Sequence, residues 1–346
     1  MSQSNRPQTP VAPFDYVVKE VIVENKKDNV KLSGTLTMPA KGKDFPAVIL
    51  ISGSGPQDRD ETLMDHKPFA VIADFLTKNG IAVLRYDDRG VAKSTGSFEN
   101  ATSAEFADDA LACFSFLQSQ KKIDKKKIGV IGHSEGGMVA AMVAAREAEI
   151  AFVVSLAGTG VTGKEVLSKQ NIDIALSQGM SKKDAESNRD NVMSMLDIVL
   201  NTQDMQLAEQ LLNEKLDSML APQKAFIPDF ENFKKNQIAG INSRWMKFFL
   251  TYDPTQAWEK VKCPALLLNG EKDIQVDATM NLNAISKALD KGGNVDYKTV
   301  IFQQQNHLFQ VCEKCTLQEY ATIEQTISPD VLEEILKHIR RVSGKR

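Results

Sequence analysis

Residues 127–138, KIGVIGHSEGGM, decide the fold of this chain. The segment 127–131 has the apolar, β-branched character of a buried strand, and 138–145 is an alanine-rich helix candidate. Between them lies a G-x-S-x-G pattern centred on Ser134, whose flanking glycines suit a turn too tight for larger side chains. Such an elbow exposes the serine hydroxyl at the end of the strand, beside the first amides of the helix. Ser134 is therefore predicted to be a nucleophile.

Short apolar runs and helical segments alternate along most of the chain. The runs of strand length are 47–51, 81–86, 128–132, 152–156, 265–269 and 295–302. Helical periodicity separates the first four at 68–79, 103–117 and 136–146, and 317–342 predicts a terminal helical region. Two alternating strands, 16–23 and 30–38, come before this pattern. Because buried strands that alternate with helices form parallel sheets, we expect an α/β fold with a mostly parallel central sheet and helices on both faces.

The alternation stops between residues 160 and 250, where several amphipathic helices and no convincing strand are predicted. One of these helices, 204–220, carries a leucine stripe that is typical of a helix core. The insertion predicts a helical cap at 160–250 on a core built from 14–159 and 251–346. Residues 1–13 are expected to form a flexible N-terminal segment.

The composition is that of an ordinary globular enzyme, since the 346 residues are 42% hydrophobic and 25% charged. The 42 lysines and arginines nearly balance the 45 acidic residues and leave a formal net charge of −3. The charge balance therefore predicts neither a nucleic-acid partner nor an anionic membrane surface. No apolar run approaches the roughly 18 residues of a membrane span, so no membrane-spanning segment is expected. A homo-oligomer is neither favoured nor excluded.

A serine hydroxyl needs a base to take its proton, and the chain contains 4 histidines. His133 belongs to the elbow and is expected to point away from Ser134. His66 precedes a helix start, and His338 lies in the terminal helical region. His307 follows the last predicted strand, in a loop from which an imidazole can reach the serine. His307 is therefore the predicted base.

The acid that orients such a base is expected after the preceding strand, 265–269. Asp273 fits this position, and its carboxylate would hold the imidazole tautomer and stabilise the imidazolium that forms during attack. Glu271 and Asp277 lie close enough in sequence to compete for the role. Asp273 is the predicted third member of a catalytic triad.

Backbone donors for a tetrahedral oxyanion are expected in the glycine- and serine-rich loop that follows the strand 47–51. Small residues in this loop let a backbone N–H approach the substrate closely. The predicted donors are the amides of Glu135 and Ser54, with Gly55 as the alternative to Ser54. The competing interpretation of the loop is a plain Gly-Pro turn.

Together these motifs resemble the α/β-hydrolase superfamily, in its serine-aminopeptidase-like or dienelactone-hydrolase-like branch of bacterial esterases. The matching segments lie within 14–342 and are 51–61, 85–90, the elbow, 268–273 and 306–309. The chain order of serine, acid and histidine is also the order expected of α/β-hydrolases. Two positions depart from the pattern: Ser52-Gly53 replaces the His-Gly of many hydrolases, and Ala92 replaces a second glycine.

The resemblance implies a serine hydrolase, most simply a carboxylesterase that cleaves small to medium esters through an acyl-enzyme intermediate. Such an enzyme uses no metal and no organic cofactor. The alternative is an aminopeptidase or dipeptidyl-type peptidase, which needs an acidic group for the substrate ammonium. Glu231, Asp229 and Glu165 of the cap are the candidates for that group. A third interpretation is a non-catalytic binding module on the same fold.

The charged residues of the second motif, Arg85, Asp88 and Arg89, have two interpretations. In loops of this type such residues commonly pair internally and hold the oxyanion loop, and this interpretation is preferred. The alternative is that they clamp the substrate. The aromatic residues at 248–249 are expected to pack rather than to recognise a ligand.

Cys312 and Cys315 form a CxxC pair, for which free thiols or a local disulfide are expected. A zinc site would need further ligands, and only His307 lies nearby in sequence. Residues 1–13 contain no apolar stretch of the kind found in a signal peptide. Relatives often carry an export leader, and 6–10 resembles the start of a mature exported chain. The resemblance therefore favours an exported or periplasmic chain whose leader has been removed over a cytoplasmic one.

Overall fold

A computed structural model describes residues 5–222 and 224–344 of the chain. One sheet contains the eight strands of this described part: β1 (Val17–Asn25), β2 (Val30–Met38), β3 (Phe45–Ile51), β4 (Ala82–Tyr86), β5 (Ile123–His133), β6 (Val153–Leu156), β7 (Ala265–Gly270) and β8 (Tyr297–Phe302). Their order across the sheet is β1-β2-β4-β3-β5-β6-β7-β8. The pairs β1–β2 and β2–β4 are antiparallel, and every other pair is parallel. The carboxyl ends of the parallel strands therefore share one edge, where loops can bring distant residues together.

The helices of the described chain lie between and after these strands. They are α1 (Pro68–Lys78), α2 (Ser103–Gln118), α3 (Glu135–Arg146), α4 (Gly163–Ser177), α5 (Lys182–Asn201), α6 (Met205–Leu220), α7 (Phe230–Ile241), α8 (Arg244–Thr251), α9 (Thr255–Trp258), α10 (Ala278–Lys291), α11 (Leu317–Tyr320) and α12 (Pro329–Ser343). The predicted terminal helical region consists of α11 and α12, separated by an irregular segment. Pro329 favours a new helix start there, because its fixed φ and missing N–H suit the first turn.

The sheet is covered on both faces, as the apolar strand patterns predict. All seven residues of β3 are buried, and all except Pro46 belong to one of two hydrophobic clusters, in alternation along the strand. Ile49 and Ile51 pack in the cluster that includes α2, α3 and α10, whereas Val48 and Leu50 pack in the cluster that includes α1 and α12. A strand buried on both faces gains hydrophobic stabilisation from nearly every side chain, which accounts for its continuous apolar sequence.

The helices α4–α8, which we call the cap, are inserted between β6 and β7. The predicted leucine stripe lies on α6, where Leu212 and Leu216 pack against Val199 of α5 and Ile238 of α7. The cap therefore has a small hydrophobic core of its own. The domain limits at 160 and 250 stay a prediction. Among the described residues, no helix combines the length and the apolar character needed to cross a bilayer.

Candidate active site

The elbow around Ser134 connects β5 to α3, and Ser134 has the backbone angles φ +54° and ψ −121°. A positive φ is unusual for a residue with a side chain and is found at strained functional turns. The flanking glycines are required by close contacts. A Cβ atom on Gly132 would lie 1.9 Å from the carbonyl oxygen of Gly136, and one on Gly136 would lie 2.2 Å from that of Ile51.

Asp273 follows β7, and His307 lies in the loop after β8, so two neighbouring strands place them side by side. His307 Nδ1 donates a hydrogen bond of 2.7 Å to Asp273 Oδ2. The other carboxylate oxygen accepts from the amides of Gln275 and Val276, at 2.8 and 2.9 Å. These bonds fix the carboxylate and place the histidine proton on Nδ1, which leaves Nε2 able to accept a proton.

Ser134 and His307 line the same cavity, which has a volume of about 300 Å³. Within the described residues, no hydrogen bond joins Ser134 Oγ to His307 Nε2. Catalytic hydrogen bonds are often long in the absence of substrate and shorten in the reacting complex. The structure thus places two of the three predicted triad residues at one cavity, and the third, Asp273, is hydrogen-bonded to His307.

Both predicted oxyanion donors belong to residues that line this cavity, Ser54 and Glu135. Glu135 is the first residue of α3, so its amide has no partner in the preceding turn of the helix. The amide of Gly53 is already engaged, because it donates to Glu61 Oε1 at 2.6 Å. Gly55 does not line the cavity, and this favours Ser54 over the alternative donor.

The charged residues of the second motif pair internally, as the preferred interpretation expected. Arg85 forms an ion pair with Asp60, and Arg89 forms one with Asp109. Asp88 accepts hydrogen bonds from Ser52 Oγ at 2.8 Å and from the amide of Gln57 at 3.0 Å, and so holds the predicted oxyanion loop directly. Burial raises the pKa of Asp88 to about 8. The three residues are absent from the cavity lining, which leaves no role for them as substrate clamps.

A second buried acid–histidine pair, which the sequence reasoning did not identify, lies behind His307. His133 Nδ1 is 3.0 Å from Glu61 Oε1, and His133 Nε2 is 3.1 Å from the carbonyl oxygen of His307. Both neighbours are acceptors, so both ring nitrogens of His133 act as donors only when the ring is protonated. Burial lowers the pKa of His133, but Glu61 outweighs this effect and the pKa is raised. The rings of His133 and His307 are 4.7 Å apart, so this pair supports the loop of the predicted base.

A family model described as X-Pro dipeptidyl-peptidase (S15 family) matches residues 28–308, which are most of the chain. The chain belongs to this family. Esterase EstD of Thermotoga maritima is 29% identical to this S15-family chain over 297 residues, which make up 85% of this chain and 62% of EstD. An uncharacterised 31.7 kDa protein of Escherichia coli is 21% identical over 206 residues, 58% of this chain and 65% of that protein. The S15-family chain thus spans less than two thirds of the length of these relatives.

Solved structures resemble the S15-family chain over nearly its whole length. The esterase PF2001 of Pyrococcus furiosus has a TM-score of 0.60 and 17% identity, covering 98% of both chains. The α/β hydrolase GrgF of Penicillium sp. sh18 has a TM-score of 0.60 and 17% identity, covering 95% of this chain and 99% of its own. These similarities confirm the predicted α/β-hydrolase fold.

The cap of the S15-family chain forms one wall of the cavity. Val166, Leu167 and Gln170 of α4 and the aromatic residues Trp245 and Phe249 of α8 line it. The aromatic residue Phe249, which was expected only to pack, therefore also faces the cavity, while its ring stacks on Trp245. Because most of these side chains are apolar, the wall favours an uncharged, partly apolar ligand.

The three cap acids that were named for a peptidase do not lie in this cavity, which corrects that expectation. Glu165 bonds to Thr162 in a capping box, Glu231 pairs with Lys234, and Asp229 caps the start of α7. Their carboxylates therefore cap the start of a helix or form a surface ion pair. The acidic residues that do line the cavity are Glu61 and Glu135.

The CxxC pair of the S15-family chain is joined as a disulfide between Cys312 and Cys315. This is one of the two alternatives that the sequence left open. Cys312 also bonds through its amide to the carbonyl oxygen of Gln304 at 3.1 Å, which closes the loop that carries His307. The disulfide therefore lies at the base of the loop of the predicted catalytic histidine.

Proposed function

We propose that this S15-family chain is a serine hydrolase that cleaves carboxylic esters. The observation that carries the proposal is that His307, which is hydrogen-bonded to Asp273, lines the same cavity as Ser134 on its elbow. Nucleophile, base and orienting acid are the three parts that acyl transfer by a serine requires. The names of the relatives EstD and PF2001, both called esterases, also support it.

In the proposed mechanism, Ser134 Oγ attacks the ester carbonyl carbon while His307 Nε2 removes the hydroxyl proton. Asp273 stabilises the imidazolium that forms, because it accepts a hydrogen bond from Nδ1. The proton then passes from His307 to the departing alkoxide, which leaves as the alcohol. Water, deprotonated by the same imidazole, attacks the acyl-enzyme and releases the carboxylic acid.

The negative charge of each tetrahedral intermediate would lie on the former carbonyl oxygen. We assign its donors to the amides of Ser54 and Glu135, whose residues line the cavity beside Ser134. The amide of Glu135 also lies at the positive end of the dipole of α3, which favours a developing anion. The cavity volume of about 300 Å³ favours small to medium esters.

A fluorophosphonate probe and p-nitrophenyl acetate test this proposal. We expect the probe to label the wild-type chain once and the ester to be hydrolysed, with both lost in Ser134→Ala. The loss in kcat should be about 10⁴–10⁶-fold. The matched control is Ser115→Ala, since Ser115 is exposed on α2 and does not line the cavity. Labelling that persists in Ser134→Ala, or an unreactive wild type, would contradict the proposal.

Peptide cleavage is the second candidate, and two observations favour it: the family description and the position of Glu61. Glu61 lines the cavity, and among the described residues its Oε2 atom has no hydrogen-bond partner. This oxygen is buried, so it could hold a substrate ammonium only after the side chain of Glu61 turns toward the cavity. A higher kcat/KM for X-Pro-p-nitroanilides than for p-nitrophenyl esters would favour the peptidase, and the reverse ranking would favour the esterase.

A further inference from the structure

The side chain of Glu135, immediately after the proposed nucleophile, is a buried acid with an unusual set of partners. The residue is 1% exposed and accepts three hydrogen bonds: from Ser103 Oγ at 2.5 Å, Trp245 Nε1 at 2.8 Å and Ser54 Oγ at 2.8 Å. Within the described residues, no lysine, arginine or histidine pairs with it. Burial raises its pKa. Because water does not reach this carboxyl group, these three hydrogen-bond donors compensate for its burial.

The three donors come from three separate parts of the site. Ser54 lies in the oxyanion loop, Ser103 is the first residue of α2, and Trp245 lies on α8 of the cap. Ser54 and Glu135 are also the two residues whose amides we assign to the oxyanion. One hydrogen bond therefore joins the side chains of both assigned donors, and a second bond to the same carboxyl group comes from the cap.

Trp245 forms part of the substrate wall as well. Its ring lines the cavity and stacks on Phe249, with ring centroids 5.1 Å apart and planes inclined by 7°. A shift of this wall therefore moves the indole N–H that Glu135 accepts. A buried carboxyl group that loses one donor is left partly unsatisfied and changes its bonds to the others.

We propose that Glu135 is a positioning residue whose carboxyl group couples the cap to the oxyanion donors. With Trp245 in place, the carboxyl group holds Ser54 so that its amide points at the developing oxyanion. When the indole bond is missing, Ser54 shifts and the transition state loses stabilisation, while ester binding in the ground state changes little. This inference rests on the proposed esterase function.

Two conservative variants test the coupling. Trp245→Phe removes the N–H donor and keeps an aromatic ring, and Glu135→Gln keeps the side-chain shape but replaces one acceptor oxygen by a donor. We expect kcat per active site to fall by about 10- to 100-fold in each, with KM changed less than about threefold. Active-site titration with the fluorophosphonate corrects for any unfolded fraction, so a purely structural defect leaves the corrected kcat unchanged.

Arg244→Gln is the matched control, because Arg244 is the neighbour of Trp245 and also joins the cap to the core. It donates to the carbonyl oxygen of Asn100 at 2.6 Å and lies 3.5 Å from Glu105, and among the described residues it forms no hydrogen bond or ion pair with Glu135. We expect its kcat to stay within about threefold of wild type. A loss as large as that of Trp245→Phe would mean that any cap contact matters, and would overturn the specific role of Glu135.

The double variant Glu135→Gln/Trp245→Phe completes the test. If the two groups act through one bond, the double variant is no slower than about the slower single variant. The coupling would be overturned if the fold-losses in kcat of the two single variants multiply in the double variant, or if the corrected kcat of either single variant is unchanged. In both cases wild-type ester hydrolysis would still support the proposed function. A wild type that hydrolyses no ester would overturn both proposals together.

Discussion

Replacing Glu61 by glutamine is expected to destabilise the protein by an amount that depends on pH. Glu61 Oε1 accepts from the amide of Gly53 at 2.6 Å and from His133 Nδ1 at 3.0 Å. The side chains of Glu61 and His133 are only 7% and 10% exposed. Removing one partner of a buried ion pair costs about 3–5 kcal/mol. Because glutamine keeps one acceptor oxygen, we expect a loss of about 2–4 kcal/mol in the free energy of unfolding near pH 6.

The pH dependence follows from the pKa of His133. Burial lowers this pKa, but Glu61, helped by the carbonyl group of His307 and by Asp273, raises it above its ordinary value of 6.5. A pKa that is raised on folding contributes stability that is complete below the unfolded pKa and is lost as the pH rises through the folded pKa. Glu61→Gln removes the carboxylate that raises the pKa of His133. The effect of burial then dominates, so this pKa falls. The stability difference from wild type is therefore largest below pH 6.5 and shrinks as the pH rises through the raised pKa of His133.

Urea unfolding followed by tryptophan fluorescence at about pH 6 and pH 9 measures this difference. The control is Glu99→Gln, since Glu99 is exposed and forms no side-chain hydrogen bond within the described residues. We expect the control to match wild type within about 0.5 kcal/mol at both pH values. A Glu61→Gln loss that is equally large at both pH values would refute the charged pair. A loss below about 0.5 kcal/mol would refute the energetic role of Glu61.

Three further variants test other parts of the site. Asp273→Asn should keep the fold but lower kcat by about 10⁴-fold, because the imidazole tautomer is no longer held; a loss below tenfold in ester kinetics would contradict this role. Gly136→Ala places a Cβ atom 2.2 Å from the carbonyl oxygen of Ile51, so urea unfolding should show a loss above about 3 kcal/mol or no folded protein. Leu167→Ala enlarges the cap wall of the cavity, and the kcat/KM ratio of hexanoate to acetate esters should rise by about tenfold. An unchanged ratio would remove Leu167 from the acyl pocket.

Local sequence patterns were sufficient to predict the centre of the sheet, because the parallel strands β3, β6 and β7 are buried along their whole length and have largely apolar sequences. The first and last residues of the strands were predicted less accurately. β5 begins at Ile123 rather than at 128, since Ile123 pairs with Phe45 across a register shift that a charged stretch conceals in the sequence. Three acids lie near the end of β7 in the sequence, and Asp273 was predicted as the partner of His307 because of its position after that strand. Asp273 bonds the histidine, whereas Glu271 bonds the amide of Gln304 and Asp277 caps α10.

The supporting network of the site could not be predicted in the same way. Glu61 bonds to a residue 72 positions away, and Glu135 to one 110 positions away in the cap. No periodicity or spacing encodes such contacts, because they depend on which loops meet at the sheet edge. The one available indication was an acid immediately after Ser134, at a position that becomes buried once α3 packs on the core.

The oxyanion loop shows why these buried acids belong together. Three successive residues of the loop each donate a hydrogen bond to a different buried acid. Ser52 Oγ bonds to Asp88, the amide of Gly53 bonds to Glu61, and Ser54 Oγ bonds to Glu135. Three fixed acceptors on three consecutive residues leave this backbone little freedom, so the entropy cost of ordering the loop is met during folding and not during each reaction cycle. The departure from the His-Gly pattern has a physical reason here, because the serine hydroxyl at position 52 bonds a carboxyl group that lies beneath the loop. If this loop supplies the oxyanion donors as we propose, the three acids that hold its backbone make it preorganised for negative charge.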